Sequence, residues 1–300
     1  MAAVAHDVPG ATPLPPGAPL PPARGLGRRL LNHRSALLGG AIVAAFVLIA
    51  LLAPLLAPYD PVDDADLGRR LQPPSAEHWL GTDHQGRDVL SRILYGARIS
   101  LRVGVMAMLM AAAVGTAWGA LAGYYGGWFD LISGRLVDLM LAFPSILLAI
   151  AFAAFLGPSL ENTMLAVALV SVPQYMRLVR GQVLSLREQD YVVAARAQGL
   201  SDARIIVRHI LPNALAPLIV QATLGVGTAV LDAAALSFLG LGAQPPAPEW
   251  GRMLNDARTV FRVAPWNMTF PGLAIMLVVL GFNLLGDGLR DVLDPRARDD

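Results

Sequence analysis

Long apolar runs alternate with polar stretches along this chain, and six of the runs have the length and character of membrane-spanning helices. The first, Ser35 to Ala57, carries no charge and is long enough to cross a hydrocarbon core of roughly 30 Å. The second covers about Ile99 to Ala122. The third covers about Leu136 to Leu156, with Pro144 as a kink. The fourth covers about Asn162 to Val179 and contains Pro173, the fifth about Ala214 to Leu239, and the sixth about Phe270 to Leu289. Backbone polar groups in lipid must be satisfied internally, so runs of this kind predict helices. The pattern therefore predicts an all-α polytopic membrane protein with six transmembrane helices. Gly115, Gly119 and Gly123 recur every four residues in the second run. They read either as a small-residue face for close helix contact or as the ordinary glycine content of membrane helices. Trp118, Tyr124, Tyr125 and Trp128 suggest an interfacial aromatic belt.

The segments between the runs divide the chain. Residues 1–34 form a proline-rich tail, with seven prolines in the first 23 positions, and the composition predicts disorder. Residues 35–57 are the first helix, 58–98 an acidic-rich loop, 99–291 the main bundle and 292–300 a second tail. A signal peptide fits the start poorly, because both its charged part and its apolar part are too long.

Composition adds limits. The chain has 300 residues, of which 55% are hydrophobic and only 15% charged, against about a quarter charged in soluble domains. A net charge of +1 leaves no footprint for nucleic acid. Cysteine is absent, which excludes disulfides, thiolate metal sites and cysteine nucleophiles. All 23 basic residues are arginine. A phosphate-cradling Gly-Lys-Ser/Thr loop is therefore impossible, and any ATPase that drives this protein is another subunit. No Ser/His/Asp set falls on elements that can meet, so no catalysis and no cofactor are expected. His78 and His84 lie six apart in the first loop without further ligands, and no metal site is predicted. With the N-terminus inside, 14 arginines fall in inner segments and 8 in outer ones. The positive-inside rule then places both termini in the cytoplasm and residues 58–98 outside.

The same count puts Asp190–Pro212 in the cytoplasm after four crossings. This stretch reads as two short helices with a bend. Asp190 is positioned to N-cap a helix carried by Tyr191 to Gln198, and Gly199 takes the left-handed position after it. Ser201 N-caps a second helix with Asp202 in its first turn, Leu200 and Ile205 occupy the hydrophobic-staple positions, and Pro212 stops it. Ala194 and Ala195 offer a low-relief surface, with Arg196, Arg204, Arg208 and His209 around it. A basic helix–bend–helix between two spans suits docking to a soluble partner.

This stretch resembles the Glu-Ala-Ala loop of membrane subunits of bacterial ABC importers. Ala194, Ala195, Gly199, Ile210, Leu211 and Pro212 match; Val193 stands where the family has Glu. At N3 that Glu would close a capping box with Asp190, so its loss costs the helix end about 0.5–1 kcal/mol. Three further stretches resemble dipeptide/oligopeptide permeases: His78 to Leu101 before the second span, Leu236 to Gly242 with Glu249-Trp250-Gly251, and Pro271 to Pro295 with Asn283 and Gly286 to Asp291. The resemblance implies a type I ABC importer permease fold with a cytoplasmic coupling helix, in the bacterial inner membrane. It also implies a homologous second permease, two ATP-binding subunits and an extracytoplasmic substrate-binding protein. Peptides are the implied solute, with nickel, glutathione and other solutes carried by similar permeases. An ion-coupled secondary transporter is the rival class; it calls for several mid-membrane charges and inverted repeats.

Candidate site residues follow. The ATPase-coupling set is Asp190, Ala194, Ala195, Arg196, Gly199, Leu211 and Pro212. Asp232, Ser237 and Asn283 are assigned to the translocation path or gate. Asp232 has a structural partner inside the bundle as its alternative, and Asn283 an interhelical hydrogen bond. Asp138 shares a helix face with Arg135. Glu249, Trp250 and Arg252 are assigned to contact with the binding protein, with a plain solvated loop as the alternative.

Overall fold

The protein is described here by a computed structural model covering residues 33–293. The two predicted tails fall almost wholly outside that range, together with Arg24, Arg28, Arg29, Arg296 and Arg298. The first helix, α1 (Arg34–Leu56), matches the first apolar run. It packs against the last helix, α10 (Trp266–Leu293), through glycines. A Cβ on Gly288 would lie 2.5 Å from the Cβ of Ala36, and one on Gly281 2.8 Å from the side chain of Ile42. Only glycine lets the two backbones come this close.

The second helix, α2 (Val89–Tyr125), has 37 residues and starts ten positions before the predicted span. Asp88 caps it, accepting from the Ser91 N–H at 2.7 Å and the Ser91 hydroxyl at 2.8 Å. Residues 89–98, expected as loop, are thus helix; Arg92 and Arg98 broke the apolar pattern. The preceding segment, residues 57–88, folds into a cap over this end of the bundle, with a 3₁₀ turn at Leu67–Arg69. The indole N–H of Trp266 and the amide of Asn267 both donate to the Thr82 carbonyl at 3.1 Å, tying the cap to α10.

The predicted third span is broken. Helix α3 (Gly127–Leu141) and helix α4 (Ser145–Leu156) meet at 95°. Pro144 has no N–H and disfavours helical geometry in the residue before it, so the chain turns where a gentle kink was expected. Helix α5 (Leu160–Leu186) is longer than the predicted fourth span. Ser159 caps it, and Pro173 lies buried within it. The glycine repeat of α2 faces α5: a Cβ on Gly115 would lie 2.5 Å from the Tyr175 Cβ, and one on Gly119 2.5 Å from the Met176 carbonyl oxygen. The close-contact reading of these glycines is the one realised.

Next come α6 (Asp190–Ala197) and α7 (Asp202–Ile205), which continues through a π turn (Ile206–Ile210) into α8 (Leu211–Phe238). The short α9 (Trp250–Ala257) precedes α10. Among the described residues, α1, α2, the α7–α8 rod and α10 are long and apolar enough to cross a membrane, and the bent α3–α4 pair makes five if taken as one span. Helix α5, with Arg177, Arg180 and the neighbouring glutamines, is long enough but more polar than these. No strand forms among the described residues beyond one isolated bridge, Thr82 to Asp88.

Candidate functional site

The bent pair α6–α7 is held at the end of α2 remote from the cap. Gly199 has φ +76, the left-handed conformation expected of it. Its N–H donates to the Arg196 carbonyl at 2.9 Å and the Leu200 N–H to that of Ala195 at 3.3 Å, the two bonds of a Schellman motif. Gln189, not Asp190, precedes the helix, and Asp190 lies in its first turn. Val192 and Ala195 are buried in the core, whereas Tyr191, Val193, Ala194 and Arg196 face outward. The expected Ala194–Ala195 surface is therefore half wrong, because adjacent residues on a helix point about 100° apart. Ala195 belongs to the interior, and Ala194 is the exposed small residue.

Two contacts brace this unit, and a third fastens the end of α5 beside it. The Tyr124 hydroxyl donates to the Asp202 carboxylate at 2.7 Å, and the Arg196 guanidinium lies 5.6 Å from the centre of the Tyr124 ring. Arg187 donates to the Gly123 carbonyl at 2.8 Å. Tyr124 is therefore a brace and not a belt residue; Tyr125 and Trp128 are the exposed aromatics there. Pro212 does not stop the second helix. The Leu211 N–H reaches back to the Ile206 carbonyl, a π spacing, and the Asn213 amide donates to the His209 carbonyl at 2.6 Å. The wider turn absorbs the N–H that Pro212 lacks, so the rod runs unbroken from Asp202 to Phe238.

At the opposite end, two of the three residues assigned to contact with the binding protein are buried. Glu249 is 2% exposed and Trp250 fully buried. Glu249 caps α9, accepting from the N–H groups of Gly251 at 2.9 Å and Arg252 at 2.8 Å and from the Ser100 hydroxyl at 3.3 Å. Burial pushes its carboxyl above the usual range, opposed by those hydrogen bonds. The Trp250 indole donates to the Ile93 carbonyl at 3.1 Å and its ring fills the space that Gly96 leaves open. Arg252 pairs with Asp256 at 2.7 Å. Glu249 and Trp250 fasten α9 to α2, whereas Arg252 is part-exposed and pairs within α9. His78, with one ring nitrogen 3.0 Å from Asp88, is likewise an internal tie; among the described residues no group of three potential ligands could hold a metal.

Of the residues assigned to the path, Ser237 is buried and accepts from the Ala243 N–H at 3.2 Å, a structural role. Asn283 makes no interhelical hydrogen bond among the described residues; it opens onto an apolar cleft of about 690 Å³ between α8 and α10, lined by Leu231, Phe238 and Met276 among others. Asp232 is half-buried on α8 and has no hydrogen-bond or ion-pair partner among the described residues. Asp138 pairs across helices with Arg177 at 2.7 Å and not with Arg135. Asp130 and Arg180 make a second α3–α5 pair that the sequence did not suggest, with a second contact at 2.7 Å.

A bundle of long apolar helices, capped at one end and carrying an exposed bent helix pair at the other, defines a multi-pass membrane protein. Residues 115–299 match the family described as the binding-protein-dependent transport system inner membrane component, and residues 22–74 match the N-terminal TM domain of oligopeptide transport permease C. The chain belongs to this family of inner-membrane transport components. It is 54% identical over 300 residues to the dipeptide transport system permease protein DppC of Alkalihalophilus pseudofirmus, covering 98% of each. It is 48% identical over 277 residues to the glutathione transport system permease protein GsiD of Pectobacterium atrosepticum, covering 92% of each. Among solved structures it resembles the inward-facing MetNI methionine ABC transporter, with a TM-score of 0.54 at 19% identity, over 68% of this chain and 97% of that one. That likeness bears on the fold. The relatives are permease components, not enzymes.

Proposed function

We propose that this chain is the membrane subunit of an ATP-driven importer that forms part of the path for dipeptides and oligopeptides across the inner membrane. It crosses six times, with both termini and the α6–α7 unit in the cytoplasm. It works with a homologous second permease, two ATP-binding subunits and an extracytoplasmic binding protein. The observation that carries this reading is the construction of the α6–α7 unit: a short exposed helix, closed by a Schellman turn, leads into a rod that is continuous with α8. A push on α6 is thereby delivered to a membrane helix. The sixth crossing is α5. Its start lies by the cap, where the Thr163 hydroxyl donates to the Leu241 carbonyl at 3.2 Å, and its end lies by the Gly123 carbonyl at the other end. The charge on α5 is tolerable in a helix shielded by neighbours.

The test is the assembled complex in proteoliposomes. Binding protein loaded with a dipeptide should stimulate ATP hydrolysis and peptide uptake together, and Ala194→Glu should abolish both while the subunit remains folded. Full coupled activity in that variant would exclude α6 as the coupling element. The 48%-identical glutathione permease favours a second solute, itself a peptide. Competition between dipeptide and glutathione for uptake decides between them.

A further inference from the structure

Along its middle, helix α8 packs on α2, α5 and α10, with further contacts to α9 and α4. Val226 and Val230 meet Gly104 of α2, where a Cβ would lie 2.6 Å from Val230. Gly225 meets Tyr175 of α5, whose hydroxyl lies 2.9 Å from a Cβ built there. Leu224 and Gly227 meet Gly286 and Phe282 of α10. Residues turn by about 100° along a helix, so Gln221, Thr228 and Asp232 fall within about 40° of one another on the remaining open face, between α5 and α10. They span about 16 Å of rise. All three are polar and at least partly exposed. Beside them Gln174 of α5 is exposed, and the Gln221 amide donates to its side-chain oxygen at 3.5 Å. Below Gln221, toward α6, a groove of about 620 Å³ carries Gln182, Asn213 and Arg290 on its walls. Stretches of open surface elsewhere are apolar, such as Leu48, Leu51 and Leu55 on α1 and Leu273, Met276 and Leu280 on α10.

An unpartnered carboxylate and a line of amides facing lipid is strongly unfavourable. This face is therefore not a lipid face. Resting on the peptide-importer reading above, we propose that Gln174, Gln221, Thr228 and Asp232 form a wet wall of the solute path, and that Asp232 receives the ammonium end of the passing peptide. The carboxamides of Gln174 and Gln221 offer both donors and acceptors, which fits peptide main chain whatever its side chains. Asp232 brings the single charge of the wall, and it complements a free amino end.

The chain has no cysteine, so single cysteines can be introduced cleanly. In the full complex with cysteine-free partners, in nanodiscs, Thr228→Cys and Gln221→Cys should react with a charged thiosulfonate. Their reaction should be about tenfold faster than that of Leu48→Cys, on the open apolar face of α1. Peptide-loaded binding protein with ATP should alter those rates. Unreactive cysteines would mean that the second permease seals this face, and reactive ones indifferent to peptide would mean that no solute passes there; either result overturns the proposal. Uptake supplies the second arm, measured as the ratio of a free dipeptide to its N-acetylated form. The binding protein is common to every variant, so a changed ratio is the permease's own. Asp232→Asn should lower the ratio by about tenfold, the scale of one lost charged partner, and Asp232→Glu should keep it. An unchanged ratio in Asp232→Asn overturns the role of Asp232. If the unaltered complex takes up neither form, the peptide reading itself has failed, while the labelling still reports whether the face is wet.

Discussion

Gly199→Val isolates the turn that closes α6. The backbone there is left-handed, at φ +76, and no atom lies within 4 Å of where a Cβ would stand. The cost of a side chain is therefore backbone strain alone, with no clash to add. Alanine in this conformation costs about 1–2 kcal/mol, and a β-branched residue reaches the upper part of the roughly 1–3 kcal/mol range. Helix α6 has only eight residues, too few to persist alone. Strain of about 2 kcal/mol should open the two Schellman hydrogen bonds and speed hydrogen exchange of the amides in 190–200 by about 30-fold. Peptide-stimulated ATP turnover of the complex should fall in step, while the amount of inserted protein stays constant. Gly199→Asn should do much less, because asparagine tolerates the left-handed region. Gly181→Ala is the control: that glycine also faces open space but sits in regular helix, where alanine is about 1 kcal/mol better. If Gly199→Val leaves exchange over 190–200 unchanged, or Asn is as damaging as Val, the conformational account of this turn is wrong.

Ala195→Glu should destroy the α6–α7 unit itself by burying a charge, whereas Ala194→Glu should leave exchange over 190–200 intact and only prevent recovery of the ATPase with the membrane subunits. Gly119→Val should part α2 from α5, since its Cβ would meet the Met176 carbonyl at 2.5 Å, and the yield of folded subunit in detergent should collapse. Burial raises the Glu249 carboxyl in the folded state, so the fold binds that proton more tightly than the unfolded chain does. This contribution to stability is complete below the ordinary glutamate range and is lost as pH rises through the raised value. Glu249→Gln should flatten the dependence of thermal unfolding on pH over that window, and an unaltered slope would show that another group sets it.

Much of this arrangement was legible. Uncharged length marked α1, glycine spacing offered a close-contact face on α2 without naming its partner, and the position of Gly199 marked the turn. What failed did so for physical reasons. Arg92 is 1% exposed within α2, yet in the sequence it looks like the end of an apolar run. Its guanidinium donates to the Pro61 carbonyl at 2.9 Å, a partner 31 positions away that no local pattern reveals. The same applies to Glu249, read as surface because it is charged and lies in a loop. Its partners are two N–H groups of its own helix and a serine 149 positions earlier. The Ala195 error was avoidable. Val192 and Ala195 are three apart and share a helix face, and an apolar pair at that spacing points inward.

The two misread clusters bear on each other through α2. A 37-residue helix is about 55 Å long, well beyond a hydrocarbon core of roughly 30 Å. Its ends therefore lie outside the lipid on both sides. One end is fixed by Asp88, Ser91 and Arg92 to the cap and, a turn or two further in, by Gly96 and Ser100 to α9. The other end is fixed by Tyr124 and the Gly123 carbonyl to the elements around the bent loop. Helix α8 lies against its middle at Gly104. A displacement of α6 thus has two routes toward the cap: along the α7–α8 rod, and through Tyr124 into α2. The routes are parallel and meet at Gly104 and Val230, so rocking α8 against α2 requires that contact to slide. The contact is glycine on valine, without a hydrogen bond, which is the kind of surface that slides at low cost. On the proposed reading, binding energy of an ATPase at the loop would go into moving the face that bears Gln221, Thr228 and Asp232, not into breaking polar bonds between the helices.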